Sequence, residues 1–315
     1  LEVIQLSYPH ELKREEQPPS SCAIGFFDGI HRGHQRVILS GKKIAEEKQI
    51  TSAVMTFHPH PSVILNKKKK QIHYITPLDQ KLEILKDLGI DRVYVVTFNK
   101  QLAILTPQQF VDHFIIGLNI KHLVSGFDFT YGKMGQGSAA TIEEHARGAF
   151  RYTVIDKVTD RNQKISSTDI REQLKLGHMR VVHQLLGRPF RIKGRVVQGD
   201  QRGRTIGFPT ANIRFSPDYL IPKIGVYAVK VYVRDQVYQG MANIGYKPTF
   251  NNNQKEPTLE VNMFEFNGNI YHETIIVDFY EYIRSEKKFA GIEELKKQLT
   301  EDQRKIKQFF LTSSR

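Results

Sequence analysis

"CAIGFFDGIHRGHQRVILSGKKIAEEK" (residues 22–48) carries the reading on which the fold turns. Its opening "CAIGFF" has the apolar, strand-forming character of a buried strand, and "GHQRVILSGKKIAEEK" has the alternation of an amphipathic helix. Between them Asp28, Gly29, His31, Gly33 and His34 crowd into seven positions. A strand running straight into a helix is half of a βαβ unit, and such units build parallel sheets covered by helices on both faces. Ligands of these sheets bind beyond the carboxyl ends of the strands, where a helix N-terminus offers free N–H groups and a positive dipole end. Gly29 and Gly33 would let the backbone approach a phosphate closely. His31 and His34 would then donate to phosphate oxygens on which charge grows during reaction. Metal ligation competes with this reading, although a third ligand is not evident nearby. A pair of exposed loop histidines is the plain alternative.

Working outward, "TSAVMTF" (51–57), "RVYVVTF" (92–98), "KHLVSGF" (121–127) and "RYTVIDK" (151–157) repeat the strand pattern. Helical stretches separate them. Leu78, Leu82, Leu85 and Leu88 share one face, behind Thr76 as N-cap and Pro77 at the first helical position. Thr106 and Pro107 repeat that start in "LTPQQFVDHF". "SSTDIREQLKLGHMRVVHQLLG" (166–187) reads as one or two short helices closing the first domain. Beyond it the pattern changes. "FRIKGRVV", "GVYAVKVYV", "VYQGMANIG", "PTLEVNMFEF" and "TIIVDFYEYI" are short strands separated by Gly, Asn and Pro, with "VRDQVY" as a hairpin turn. A small antiparallel barrel is expected, followed by a helix with Ile292, Leu295 and Leu299 on one face. The predicted fold is α/β plus β, with a Rossmann-like first domain over residues 1–184 and a barrel domain over 185–315.

Composition bounds the partners. The 315 residues carry a formal net charge of +13, which favours anionic partners: nucleic acid, acidic lipid or polyphosphorylated small molecules. The run Lys67–Lys70 has no aromatic residues alternating with it, so a solvated loop fits it better than a nucleic-acid platform. The single cysteine, Cys22, excludes an intrachain disulfide framework and suits a reducing cytoplasm. The N-terminal stretch has no signal-peptide pattern, and no apolar run has the length of a membrane span, so a cytoplasmic protein is expected. A monomer is the favoured state.

"GFFDGIHRGH" (25–34) resembles the signature of the HxGH nucleotidylyltransferases, in the form carried by bacterial FAD synthetases. The resemblance implies attack of an FMN phosphate oxygen on the α-phosphorus of ATP, giving FAD and pyrophosphate. Gly25, Phe27, Asp28, Gly29 and Gly33 would then belong to the ATP site, with His31 and His34 catalytic. "ISSTDIR" (165–171) is similar to the family's second nucleotide motif and implies ATP contacts from Ser166, Ser167, Thr168 and Arg171. "SGFDFTYGKMGQG" (125–137) is similar to its loop around the flavin phosphate and implies flavin contacts from Asp128 and Phe129. "TFHPHP" (56–61) resembles a segment beside the active site. Its two prolines point to an extended loop, and His58 and His60 receive no chemical role. Arg32 departs from the family pattern, which commonly has a small or apolar residue there.

"GRVVQGDQRGRTIGFPTANI" (194–213) is glycine-rich and basic, with Arg202 and Arg204 inside it, but is neither a Walker A sequence nor a dinucleotide-binding turn. Thr210 and Asn212 flank Ala211, so in an extended chain both side chains point one way and could meet a Mg²⁺ ion bridging ATP phosphates. This stretch, with "GVYAV", "NIGYKPTF", "LEVNMFEF" and "YIRSEKKF", resembles the riboflavin kinase module. The resemblance implies ATP- and Mg²⁺-dependent phosphorylation of riboflavin. Gly199, Gly203, Arg204, Gly207, Pro209, Thr210 and Asn212 would contact ATP, with Thr210 and Asn212 on the metal. Glu260 would be the general base, and Arg284 and Glu286 would contact flavin. Asn262 stands where many members have histidine, and asparagine cannot titrate. Together the two modules imply a bifunctional enzyme using riboflavin, FMN and ATP. The alternatives are a chain with one active domain, its kinase weakened by Asn262, or a flavin-sensing regulator that binds RNA.

Overall fold

The computed structural model describes residues 1–65, 72–160, 163–199, 203, 206–248 and 255–313. The basic run Lys67–Lys70, and Arg202 and Arg204 of the glycine-rich loop, lie outside the described residues. The chain forms two compact units, Leu1–Ser167 and Thr168–Arg315.

The first unit is built on strands β1 (Glu2–Leu6), β2 (Ser20–Ile24), β3 (Thr51–His58), β4 (Arg92–Thr97), β5 (Ile120–Gly126) and β8 (Arg151–Ile155), in the order β1-β4-β3-β2-β5-β8. Every pairing is parallel. Strand β2 is buried throughout, and from it the chain winds to one side through β3 and β4, beyond which the N-terminal β1 forms the edge, then to the other side through β5 and β8. The reversal makes the carboxyl ends of β2 and β5 the topological switch point. Alternation along β2 splits the core. Ala23 faces Val37 and Ile38 of helix α1 (Arg32–Lys48) and Leu85 of a later helix, while Cys22 and Ile24 join Phe110, Phe114 and Ile115 on the other face. Strand β1 is an edge strand that the sequence reading leaves out, and of its five residues only Leu6 is buried.

Two local expectations shift. After β3 the chain does not stay extended. It forms the short helix α2 (Pro61–Leu65), whose first turn is capped when Ser62 N–H donates to His60 Nδ1 at 3.1 Å. Helix α3 (Leu78–Asp87) starts one residue late, with Pro77 as N-cap and no side-chain cap. Just before the helix, the N–H of Thr76 donates to the Asp28 carboxylate. After helix α4 (Lys100–Ala103), helix α5 (Pro107–Phe110) has the expected Thr106 cap, completed into a capping box by Gln109. The short pairs β6 (Thr130–Tyr131)/β7 (Gly137–Ser138) and β9 (Thr159–Asp160)/β10 (Gln163–Lys164) and helix α6 (Ile142–Ala146) complete this part of the chain.

Helix α7 (Ser167–Leu176) starts at the last residue of the first unit, and α8 (Met179–Leu186) packs on strands of the second. Those strands are β11 (Phe190–Val197), β12 (Ala211–Phe215), β13 (Gly225–Val233), β14 (Gln236–Pro248), β15 (Lys255–Met263) and β16 (Thr274–Arg284), closed as an antiparallel barrel in the order β11-β12-β15-β14-β13-β16. Val233 pairs with Gln236 across a two-residue turn in which Arg234 has φ +53°, as a tight hairpin requires. Tyr227, Val229, Ala242, Val261 and Phe279 are fully buried in the barrel. On the opposite face Val226, Ala228 and Met241 pack against helix α9 (Ile292–Ser313) through Ile306 and Phe310. The helix therefore anchors further along than its first apolar residues indicate, and Ile292 is 60% exposed.

Candidate active sites

The quoted loop leaves the carboxyl end of β2 in a tight reversal. Phe27, Gly29 and Ile30 have φ of +52°, +86° and +38°. Only Gly29 adopts such a conformation without strain, so the two non-glycine residues are held there by their surroundings. The Asp28 side chain is 3% exposed and accepts from the backbone N–H groups of Ile75 and Thr76, at 3.3 and 3.1 Å. Its own carbonyl accepts from Ser167 Oγ at 2.9 Å. Asp28 is thus a clasp joining the loop to the start of α3 and to "ISSTDIR".

The two histidines are not equivalent. His31 is buried and is the N-cap of α1, its Nδ1 accepting from the His34 N–H at 3.3 Å. An accepting Nδ1 leaves the proton of a neutral imidazole on Nε2. The His34 ring stacks on His31 with centroids 3.6 Å apart, packs nearly perpendicular to Phe27, and lines a cavity of about 830 Å³. Gly33 serves this pair. A Cβ there would lie 3.1 Å from the His31 ring, so its small size makes room for the imidazole.

The cavity opens at the switch point. Its lining includes Gly25, Phe27, Asp28, His34 and Ser167, together with the aromatic rings of Phe57, Phe98, Phe110 and Phe129 and the exposed Asp128. Gly29, His31 and Ser166 stand next to lining residues without lining it themselves. Thr168 and Arg171 belong to the second unit, and Arg171 follows Ser167 by one helical turn on α7. Lys81 is a buried side chain the sequence reading passes over; its ammonium donates to the Phe26 carbonyl at 2.7 Å. The cue was a lysine in the apolar register of α3, next to Leu82 and Leu85.

In the second unit, pairing brings a row of side chains together. Asn212 opposes Glu260, Glu260 opposes Asn243, Asn243 opposes Val226 and Val226 opposes Arg284. Directly opposite residues share a face of the sheet. Glu260, Asn243, Val226 and Arg284 accordingly line one cavity of about 610 Å³, with Gly203, Phe208, Thr210, Asn262 and Glu286. A second cavity of about 340 Å³, edged by Phe266 and Tyr271, also includes Thr210, so that residue lies where the two adjoin.

The glycine-rich loop is held by its own contacts. Phe208 N–H donates to the Gly203 carbonyl at 2.9 Å, and Gly207 has φ +82°. A Cβ on Gly199 would fall 2.1 Å from Asn212 Nδ2, so the asparagine lies directly against that glycine. Asn262 is buried and its Nδ2 donates to the Pro209 carbonyl at 2.7 Å. A bond of this kind needs a donor and no titration. Arg284 is committed to a buried ion pair with Asp302 of α9 at 2.8 Å. Glu286 Oε1 accepts from Asn243 Nδ2 at 3.1 Å and crosses Gly245, where a Cβ would lie 2.6 Å from it.

Among the described residues no group of three or more His, Cys, Asp or Glu could hold a metal. Among them too, no helix is long and apolar enough to cross a membrane.

The family model for FAD synthetase matches residues 13–169, and that for riboflavin kinase residues 186–310. A bifunctional riboflavin kinase/FMN adenylyltransferase of Bacillus subtilis is 49% identical over 311 residues, 98% of each chain. One of Listeria monocytogenes is 48% identical, again over 98% of each, and one of Escherichia coli K12 is 34% identical over 96% of each. A crystal structure described as a macrolide-efflux protein from Streptococcus pneumoniae has a TM-score of 0.87 at 33% identity, covering 96% of this chain and 98% of that one.

Proposed function

The chain belongs to the bifunctional riboflavin kinase/FMN adenylyltransferase family, and from that premise we propose how its two sites divide the chemistry. It is an enzyme that converts riboflavin to FMN and FMN to FAD, each with ATP. We assign adenylyl transfer to residues 1–184 and the kinase to residues 185–315, in the cytoplasm.

For adenylyl transfer, the observation that carries the reading is the stacked His31–His34 pair at the N-terminus of α1, beside a cavity with an aromatic wall. The isoalloxazine ring lies along Phe57, Phe98 and Phe129, with Asp128 at its edge. The phosphates of FMN and ATP meet at the α1 end. An FMN phosphate oxygen bonds to the α-phosphorus as the bond to the pyrophosphate oxygen breaks. Little covalent help is needed; alignment and stabilisation of charge supply the rate. His34, which lines the cavity, donates to a phosphate oxygen. His31 fixes the helix start and the face of His34. Gly25, Gly29 and Gly33 keep that turn narrow, Asp28 and Ser167 clasp it, and Ser166, Thr168 and Arg171 provide hydroxyl and guanidinium donors for the triphosphate.

For the kinase, riboflavin occupies the larger cavity and ATP the smaller, with Thr210 at their junction. Glu260 accepts the proton of the ribityl hydroxyl as its oxygen bonds to the γ-phosphorus and ADP departs. Thr210 and Asn212 would hold Mg²⁺, since a hydroxyl and an amide oxygen are the hard, neutral donors this ion takes alongside phosphate oxygens. When bound, the ion would neutralise charge on the β- and γ-phosphates. Gly199, Gly203, Gly207 and Pro209 shape the nucleotide loop, to which we also assign Arg204. Arg284 and Glu286 border the flavin, and Asn262 holds Pro209 in place, so this departure from histidine keeps a donor where the loop needs one.

Incubating the protein with riboflavin, ATP and Mg²⁺ and separating the flavins tests both assignments. FMN followed by FAD is expected. FMN without FAD would remove the first assignment, and FAD formed only from added FMN would remove the second.

A further inference from the structure

A lysine that is 3% exposed is rare in any protein, and Lys81 of α3 lies directly beneath the loop that carries both histidines. Its Nζ donates to the Phe26 carbonyl at 2.7 Å and to Thr56 Oγ1 at 3.2 Å, and stands 4.7 Å from the centre of the Phe26 ring. Thr56 Oγ1 donates to the same carbonyl at 3.0 Å. Two donors therefore hold one peptide oxygen toward the core. In a trans peptide the following N–H points the opposite way, so fixing the Phe26 carbonyl also fixes the direction of the Phe27 N–H. Phe27 is the first of the three positive-φ residues, and its ring packs nearly perpendicular to that of His34, with centroids 5.3 Å apart.

We propose that Lys81 is a positioning residue for adenylyl transfer, its ammonium setting the Phe26–Phe27 peptide and, through it, the place of His34 in the cavity. This rests on the adenylyltransferase reading above.

The groups around the ammonium set how it titrates. The Asp28 carboxylate acts on it from the loop, Thr56 from β3, and Phe26 from above; His60 and Tyr74 pack on the Phe26 ring, at 4.4 and 6.1 Å between centroids. Burial lowers the Lys81 pKa to about 8, with Asp28 opposing the change. Above that pH the neutral amine loses its charge-assisted bond and its attraction to the ring. The sign for stability is opposite. The unfolded lysine keeps its proton to a higher pH, so between about 8 and its ordinary value the unfolded state binds more protons and this group's contribution to folding rises with pH. Activity lost in that window is not unfolding driven by Lys81.

The test follows FAD formation from FMN, ATP and Mg²⁺ by the full chain at pH 6.5 to 9.5, with FMN formation from riboflavin measured alongside. In the native protein kcat for FAD is expected to fall about tenfold per pH unit above about 8, with KM for ATP changed less than about threefold. Lys81→Arg, which stays charged, should move that fall beyond pH 9.5. Lys81→Met should lower kcat about tenfold or more at pH 7, flatten the alkaline limb and leave FMN formation unchanged. A Met variant with native rate and native pH profile would overturn the proposal, as would an Arg variant whose rate falls at the native pH. If the Met variant does not fold, the native and Arg profiles decide between these outcomes. A native protein that makes no FAD at any pH would remove the adenylyltransferase reading and the proposal with it, a result distinct from a rate insensitive to Lys81.

Discussion

At the scale of single residues, His31 and His34 separate by what each ring touches. His31 is spent on the helix start, and His34 reaches the cavity. Replacing a capping side chain with alanine costs about 0.5–2 kcal/mol. His31→Ala should therefore lower both the melting temperature and FAD formation, whereas His34→Ala should stop FAD formation with melting nearly unchanged. Thermal melts run beside a flavin assay check this, and equal losses of stability in the two variants would contradict it. Glu260→Gln keeps the shape of the row between Asn212 and Asn243 but removes the proton acceptor, so FMN formation from riboflavin should fall about 10²–10⁴-fold while FAD formation from supplied FMN persists. Loss of both activities in a folded Glu260→Gln protein would argue against independent sites. The residue types of both sites were legible because a strand–glycine–helix junction and a "PTAN" segment constrain what their side chains can do. The unequal jobs of the histidines were not. They depend on which ring nitrogen faces the backbone, and spacing along the chain carries no such information. Lys81 was hidden for a related reason, since helical periodicity assigns a face but not whether a cation on it is buried.

At the scale of elements, strand alternation and the Thr106 cap were readable because they are local. The start of α3 and the seat of α9 were not, because distant partners decide them: the Asp28 carboxylate accepts the Ile75 and Thr76 N–H groups and fixes the segment just before α3, and Asp302 draws Arg284. Asp302 is fully buried and the Arg284 side chain is 14% exposed, so this pair ties α9 to the end of β16 beside the cavity of about 610 Å³ proposed to hold riboflavin. Removing one partner of a buried pair leaves the other charge uncompensated, at a cost of about 3–5 kcal/mol. Asp302→Ala should accordingly lower the denaturation midpoint of the barrel and raise KM for riboflavin, because Leu295 and Leu299 of the same helix line the cavity. Denaturant titration followed by riboflavin saturation kinetics would detect both effects. A variant with native stability and native KM would show that the helix is seated by Ile306 and Phe310 alone.

At the scale of the whole molecule, the change from alternating strands and helices to closely spaced strands announces two domains, but chemistry and packing divide the chain differently. The FAD synthetase match ends at residue 169, inside α7, and the riboflavin kinase match starts at 186, the last residue of α8. Compactness places the division at Ser167, so the segment from 168 to 185 is physically part of the second unit. Helix α8 buries Met179, Val182, Leu185 and Leu186, and it packs on β11 and β16. Four such side chains at about 1.5–3 kcal/mol each amount to roughly 6–12 kcal/mol, comparable to the whole stability of a domain. A fragment of residues 185–315 should therefore be largely unfolded, while 168–315 should melt cooperatively and make FMN. The cost falls on the other activity. A fragment of residues 1–167 keeps the histidine pair and Ser167 but lacks Thr168 and Arg171, and it should bind FMN while forming FAD far more slowly than the intact chain. Circular dichroism melts and flavin assays on the three fragments check each part. Full kinase activity in 185–315 would show that α8 is dispensable to the barrel, and rapid FAD formation by 1–167 would remove Thr168 and Arg171 from the ATP site. If both fail as expected, neither the bond after 167 nor the bond after 184 divides the chain into two working enzymes, because the first cut takes the proposed triphosphate donors from one site and the second takes most of α8 from the other site's barrel.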